Sequence, residues 1–134
     1  MDGLILTRLR QFSDRRGAVY RALKSSEPEY VGFGEVYYSI VNKGIVKGWK
    51  RHNKMTMNLT VPIGSIKIVA YDGMNFMDYI LGPDNYCRLT VKPGIWIAFM
   101  GISEINLLTN IANLEHDPNE VKTQNLDSID YDWS

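Results

Sequence analysis

Cysteine and histidine are nearly missing from this sequence. One cysteine, Cys87, stands among 134 residues, so no intrachain disulfide can form and a disulfide-stapled fold is excluded. The two histidines, His52 and His116, form no His-x-His pair. A stable metal site needs three or four suitable ligands converging on one point, so no bound metal and no cofactor is expected. Net charge is missing as well. Fifteen Lys and Arg balance fifteen Asp and Glu, which argues against a general nucleic-acid or membrane-surface binder. No apolar run approaches the length of a membrane span. Leu4–Leu6 is too short for a signal-peptide core, and arginines follow it, so a cytoplasmic protein is expected. Repeats, low-complexity tracts and linkers are absent too. The length suits one domain over residues 1–134, with an acidic tail from about residue 115.

The pattern that is present is that of short strands. Apolar residues recur at period two or in short runs bounded by Gly, Pro and Asn. This predicts strands over Gly17–Lys24, Glu35–Val41, Ile45–His52, Met57–Ile63, Ile66–Tyr71, Phe76–Leu81, Cys87–Val91 and Ile95–Met100. Ile105–Ala112 fits strand or helix by period, and its β-branched content favours strand. Gly64-Ser65 between two apolar runs reads as a hairpin turn, and Asp72-Gly73 as the next turn. Many short strands with closely spaced turns mean an all-β sandwich or small barrel. The tail reads as irregular, with Tyr131 and Trp133 available to anchor it by packing.

Charge is unevenly spread within the neutral total. Residues 1–54 hold eleven Lys and Arg against five Asp and Glu, while residues 115–134 hold six acids against one lysine. A basic first half attracts an anionic small molecule such as a nucleoside diphosphate; a solvated basic face balanced by the tail explains it equally well. The densest stretch is Lys43–Lys54, where five basic residues and His52 fall within twelve positions. Alternate residues of a strand share a face. Lys50 and His52 therefore point one way, and Trp49 and Arg51 the other. Lys47 faces away from Lys50 unless the chain bulges near Gly48, which a glycine permits. A charged edge strand that resists aggregation is the competing explanation. Trp49 and Trp96 read as core rather than sugar platforms. Gly32-Phe33-Gly34 is a short turn without a phosphate-loop pattern.

Several short motifs, in order and spacing, resemble the dTDP-4-dehydrorhamnose 3,5-epimerases and the nucleotide-sugar 3,4-ketoisomerases. Asp14-Arg15-Arg16-Gly17 matches the family's Asp-x-Arg-Gly. Ser39, Gly44-Ile45-Val46 and Lys47-Gly48 match its Ser, Gly, two apolar residues, base and Gly. Pro93-Gly94-Ile95-Trp96 matches the turn before a late strand, and His116-Asp117-Pro118-Asn119-Glu120 an acidic-proline segment. The resemblance spans roughly residues 10–120. It implies a cupin-type jelly roll (a double-stranded β-helix), a metal-free homodimer, and a 4-keto-6-deoxyhexose nucleotide, dTDP-linked or related, as substrate in polysaccharide sugar biosynthesis. The segment Gly48-Trp49-Lys50-Arg51-His52 is similar to a subgroup from polysaccharide-synthesis clusters.

The chain also departs from that pattern. Lys50 stands where the 3,5-epimerases carry a catalytic histidine, and Met57 where they carry a lysine. Of the ketoisomerases' Gly-x-His-x-His only the second histidine, His52, is kept. His116 stands where a tyrosine acid is expected. The family's C-terminal extension, which supplies an acidic partner to the base, is not expected here. Epimerisation beside a ketone needs a base near its operating pH, an enolate stabiliser and an acid. Histidine lies in that range; a lysine reaches it when desolvated or beside other cations. Lys50 or His52 is thus the expected base, with the other stabilising the enolate. His116 or a tyrosine among Tyr37, Tyr38 and Tyr71 is the expected acid. Arg16 and Lys47 are expected on the nucleotide phosphates, with Arg51, Lys54 and Tyr37 completing the substrate contacts. The N-terminal stretch Leu4–Arg16 is expected to cross to a partner subunit, taking Arg16 into its pocket. A catalytically silent sugar-nucleotide binder of the same fold, or a structural partner of a sugar enzyme, is the alternative to an isomerase.

Overall fold

The computed structural model describes residues 1–134. Twelve strands form: β1 (Leu4–Arg8), β2 (Gln11–Asp14), β3 (Gly17–Tyr20), β4 (Glu35–Ile40), β5 (Val46–His52), β6 (Met57–Ile63), β7 (Ile66–Tyr71), β8 (Phe76–Leu81), β9 (Cys87–Val91), β10 (Trp96–Gly101), β11 (Leu107–Ala112) and β12 (Val121–Thr123). A single 3-10 turn, Leu126–Ser128, follows. The strands make two five-stranded antiparallel sheets, ordered β1-β9-β6-β11-β4 and β12-β5-β10-β7-β8. The hairpin β2-β3 stands apart from both. This is the all-β jelly roll that the motifs imply. No helix is long and apolar enough to cross a membrane.

Alternation sends one set of side chains from each sheet into the space between them. Leu59, Val61, Leu89 and Leu108 come from the first sheet, Ile66, Ile68 and Ile97 from the second, and with Val41 and Met55 they form the main core. Each such aliphatic side chain contributes about 1.5–3 kcal/mol by leaving water. A second, smaller core lies on the outer face of the second sheet, where Trp49, Val69, Trp96 and Ala98 pack with Ile129. Both Trp49 and Trp96 are therefore packing residues. The outer face of the first sheet carries Arg88 and Thr90, which are buried beneath the connection between β3 and β4.

The structure differs from the sequence reading at several points. Gly64-Ser65 does not close a hairpin: β6 pairs with β9 and β11, whereas β7 pairs with β8 and β10. The chain here crosses from one sheet to the other. Gly64 has φ of 83°, and a side chain on it would run into Ile105 and Asn106. Buried Asn106 holds this corner, its Oδ1 accepting from the amides of Ser65 at 2.9 Å and Ser103 at 3.0 Å. The strand expected over Gly17–Lys24 ends at Tyr20, and its partner is β2. Leu4–Arg8 does not leave its own chain; it pairs in register with β9 from Leu4↔Val91 to Arg8↔Cys87. The tail is not wholly irregular, because β12 adds to the edge of β5.

Candidate active site

The two sheets part at one end of the sandwich around a cavity of about 130 Å³. Tyr37, Ser39, Lys47, Lys50, His52 and Asn110 supply its polar lining, and Met57, Leu59, Ile97, Phe99 and Leu108 its apolar walls. A wider concavity shares Tyr37, Lys50 and His52 with it and adds Glu35, His116 and Val121. Lys50, His52, Lys47, Tyr37 and His116 thus meet around one opening.

The geometry of β5 explains how. Register with β10 runs Trp96↔Arg51 and Ile97↔Lys50, then Phe99↔Lys47. Three steps on β5 therefore oppose two on β10, which is a bulge. The extra residue returns Lys47 to the face of Lys50 and His52. Gly48 makes this possible, since a side chain there would run into Ala98.

His52 is nearly fully buried, and its Nδ1 is hydrogen-bonded to Glu120 Oε1. The other carboxylate oxygen of Glu120 accepts from the amides of Asn53 at 3.1 Å, Lys54 at 3.0 Å and Met55 at 3.3 Å. Burial pushes the Glu120 carboxyl up, but the bonds with His52 and with the Lys54 and Met55 amides together outweigh it and hold it below its ordinary value. An ionised carboxylate on Nδ1 fixes the imidazole tautomer and leaves Nε2 as the basic nitrogen. The acidic partner expected to be missing is therefore present, as Glu120 immediately before β12.

Tyr37 is the second polar anchor. Its hydroxyl accepts from Asn110 Nδ2 at 2.8 Å, and the acceptor within reach of its own proton is the Met55 sulfur at 4.0 Å. Burial raises the phenol above its ordinary value; the Asn110 bond opposes this, and the charges of Glu35 and Glu120 add to it. Tyr37 is thus a neutral proton donor at neutral pH. Asn110 Oδ1, also buried, has no partner. Neither Lys47 nor Lys50 takes part in any of the protein's ion pairs, and both are exposed at the opening.

Three expected site residues lie elsewhere. Arg51 points to the outer face of β5, with its guanidinium 5.0 Å from the Trp96 ring centre. Lys54 is exposed and reaches the site through its backbone amide alone. Arg16 sits at the tip of the β2-β3 hairpin, paired with Asp14 at 2.7 Å, away from the cavity. Of the other tyrosines, Tyr38 is exposed on β4 and Tyr71 stacks on Phe76 at 4.5 Å. Sequence reasoning missed Glu120 and Asn110. The available signal for Glu120 was the Asp117-Pro118-Asn119 turn followed by Val121, which pairs with His52.

No family model matches the chain. A dTDP sugar isomerase from Desulfovibrio desulfuricans G20 is 34% identical and superposes with a TM-score of 0.91, over 95% of this chain and 87% of that one. The spore coat polysaccharide biosynthesis protein SpsL of Bacillus subtilis is 21% identical across 100% of this chain and 97% of its own length. A variant of the 3,4-ketoisomerase QdtA from Thermoanaerobacterium thermosaccharolyticum, in complex with TDP-4-keto-6-deoxyglucose, shares the fold. Its TM-score is 0.81 at 21% identity, over 91% of this chain and 88% of that one. With one-third identity to the first of these over almost the whole of both chains, the protein belongs to the nucleotide-sugar epimerase and ketoisomerase family of cupins.

Proposed function

We propose that this protein is an isomerase of a nucleoside-diphosphate 4-keto-6-deoxyhexose, working by proton transfer beside the ketone. The observation that carries the reading is the His52–Glu120 pair, buried and opening on a cavity that also holds Lys50 and Tyr37. His52 Nε2 removes the proton from the carbon next to the carbonyl, breaking the C–H bond. The electron pair moves onto the carbonyl oxygen, and Lys50 at the opening stabilises the resulting enolate. Lys50 is exposed rather than sealed from water, which favours His52 as the base. Tyr37 returns a proton to the opposite face of the same carbon for an epimer. For a ketoisomer the enolate oxygen is first protonated to an enediol, the neighbouring hydroxyl gives up its proton as it becomes the new carbonyl, and Tyr37 protonates the former carbonyl carbon. In both cases the imidazolium and phenolate then exchange protons with water. In the ketoisomer branch the oxidation of one carbon is balanced by the reduction of its neighbour, so neither outcome requires an external oxidant or reductant. Lys47, a cation on the cavity wall without an ion-pair partner, suits the diphosphate.

Solvent deuterium is the test. Incubation of TDP-4-keto-6-deoxyglucose with the protein in D₂O is expected to place deuterium on a carbon beside the ketone. Saturable binding without exchange across a panel of keto sugars would establish a binder instead. The relatives' roles suit a place in surface-polysaccharide synthesis, lipopolysaccharide included, in the cytoplasm. A homodimer accounts for the free-standing β2-β3 hairpin, whose Phe12 and Val19 are exposed, and it delivers Arg16 to the partner's opening. Chromatographic mass tests the dimer. Restored turnover on mixing Arg16→Ala and His52→Ala subunits tests the shared site.

A further inference from the structure

The face of β5 turned away from the cavity is as heavily built as the cavity face. Trp49 lies between Gly48 and Lys50, at the bulge, and is fully buried. Its backbone exchanges hydrogen bonds with Gln124, amide to carbonyl, at 3.1 and 3.0 Å. Its indole Nε1 donates to the Leu126 carbonyl at 3.2 Å. Its ring lies 6.0 Å from that of Trp133 and 6.5 Å from that of Phe76, and Tyr131 meets Trp133 edge-on at 4.8 Å. Tyr131 is tied in turn to Asp78 at 2.8 Å. Everything that grips Trp49 from behind, apart from Phe76 and the sheet itself, comes from the last fourteen residues.

The residue just before these fourteen, Glu120, bonds His52, and Val121, Lys122 and Thr123 pair with His52, Arg51 and Lys50. Without β12, β5 is the edge of its sheet, and its bulge has one neighbour instead of two. A residue at a bulge sets the direction of the side chains on either side of it.

We propose that Trp49 is a positioning residue. The segment Val121–Trp133 holds it from the outer face and thereby sets the direction of Lys50 and His52 on the inner one. It acts through those two residues and touches no substrate. The proposal takes its meaning for turnover from the proton-transfer reading above, but its structural content does not depend on which sugar is bound.

The test is Trp133→Ala, which removes the outermost ring of the clasp and leaves the main core untouched. Amide exchange at Trp49 and Gln124 is expected to quicken at least about tenfold. The ring nitrogen signals of His52 in ¹⁵N spectra are expected to move from one tautomer towards a mixture as the bond to Glu120 loosens. With a turned-over keto sugar, kcat falls about tenfold to a hundredfold while KM stays within about twofold, and Trp133→Phe restores most of it. Trp49→Phe, which keeps a ring and deletes the bond to Leu126, reads the same quantities if Trp133→Ala fails to fold. A merely structural role lowers the melting temperature and leaves the His52 tautomer and kcat per folded molecule unchanged; that result overturns the proposal. The His52 spectrum is recorded without substrate. A wild type that turns over no sugar therefore overturns the proton-transfer reading alone, and the tautomer then decides this one.

Discussion

Two buried charged clusters stand on the same sandwich, and they have opposite characters. On the outer face of the first sheet, Arg88 is wholly enclosed. It donates to the Ala22 carbonyl at 2.7 Å, to Glu27 at 2.9 and 3.3 Å, and to Glu29 at 2.8 Å. At the cavity, Glu120 is equally well satisfied by His52 and three amides. There the resemblance stops. Around Arg88 two carboxylates close on the guanidinium, Glu27 and Glu29 keep 21% and 13% of their side-chain surface in water, and the one guanidinium nitrogen without a partner, Nε, is enclosed. Around His52 bonding capacity is left over: Lys47 and Lys50 have no ion-pair partner, Tyr37 has a sulfur 4.0 Å away, and Asn110 Oδ1 has nothing. Burial of charge does not by itself mark a functional site. What marks one is burial on one side with unmet donors and acceptors facing a cavity on the other.

If that contrast is right, substitutions in the two clusters should separate stability from turnover. The largest effect belongs to His52→Ala, expected to lower deuterium exchange into the keto sugar about a thousandfold, the range of general-base catalysis. Folding should persist, because Glu120 keeps its three amide bonds and the ring lines a cavity rather than the packed core. Arg88→Met comes next. It strands Glu27 and Glu29, and the loss is about 3 kcal/mol in urea unfolding, with turnover per folded molecule unchanged. Equal loss of turnover in Arg88→Met would erase the distinction between the clusters.

Glu120→Gln sits between the two, since it touches both fold and site. Loss of the carboxylate frees the imidazole tautomer, and kcat is expected to fall about tenfold to a hundredfold. The pH dependence has a definite sign. The folded Glu120 carboxyl lies below its ordinary value, so its stabilisation is complete above the unfolded carboxylate range and disappears as pH falls through the folded value. Glu27 is lowered too: burial raises it, and the hydrogen bonds from Arg88 and the Lys24 amide outweigh that. Urea unfolding at neutral pH and in acid, below about pH 4, should show both clusters weakening together. Glu120→Gln should remove its share of that slope and leave the Glu27 share.

How much of this was legible in the sequence divides along physical lines. Period-two patterning located nine strands with boundaries within a few residues, because alternation is imposed by burial of one face. It also placed Lys50 and His52 on one side and Trp49 and Arg51 on the other. Pairing partners were not legible. Gly64-Ser65 looks locally like a hairpin turn and is a crossing between sheets, a choice made by Asn106 and by contacts distant in sequence. β1, β2 and β12 were missed because they are short and sit at edges or stand apart, where burial imposes little pattern. Glu120 was hidden for the same reason: its partner is 68 residues away, and the turn before it marks the start of a strand without indicating which residue that strand meets.

Arg51 gives the smallest expected effect and the sharpest use of the two-sided strand. On charge alone it belongs with Lys47 and Lys50 as a phosphate contact. The alternation that sends Lys50 inward sends Arg51 outward, where it stacks on Trp96 and its Nε is buried without a partner. Arg51→Lys keeps the charge and loses the planar stacking, worth about 0.5–1 kcal/mol at such a site. Unfolding should register that loss, while KM for the sugar nucleotide changes less than about twofold. Lys47→Met, by contrast, removes a cation from the cavity wall, so KM should rise well beyond that limit. A rise in KM for Arg51→Lys comparable to that for Lys47→Met would mean that the outer face of β5 also meets the ligand. The partition of the strand into a binding face and a packing face would then be wrong.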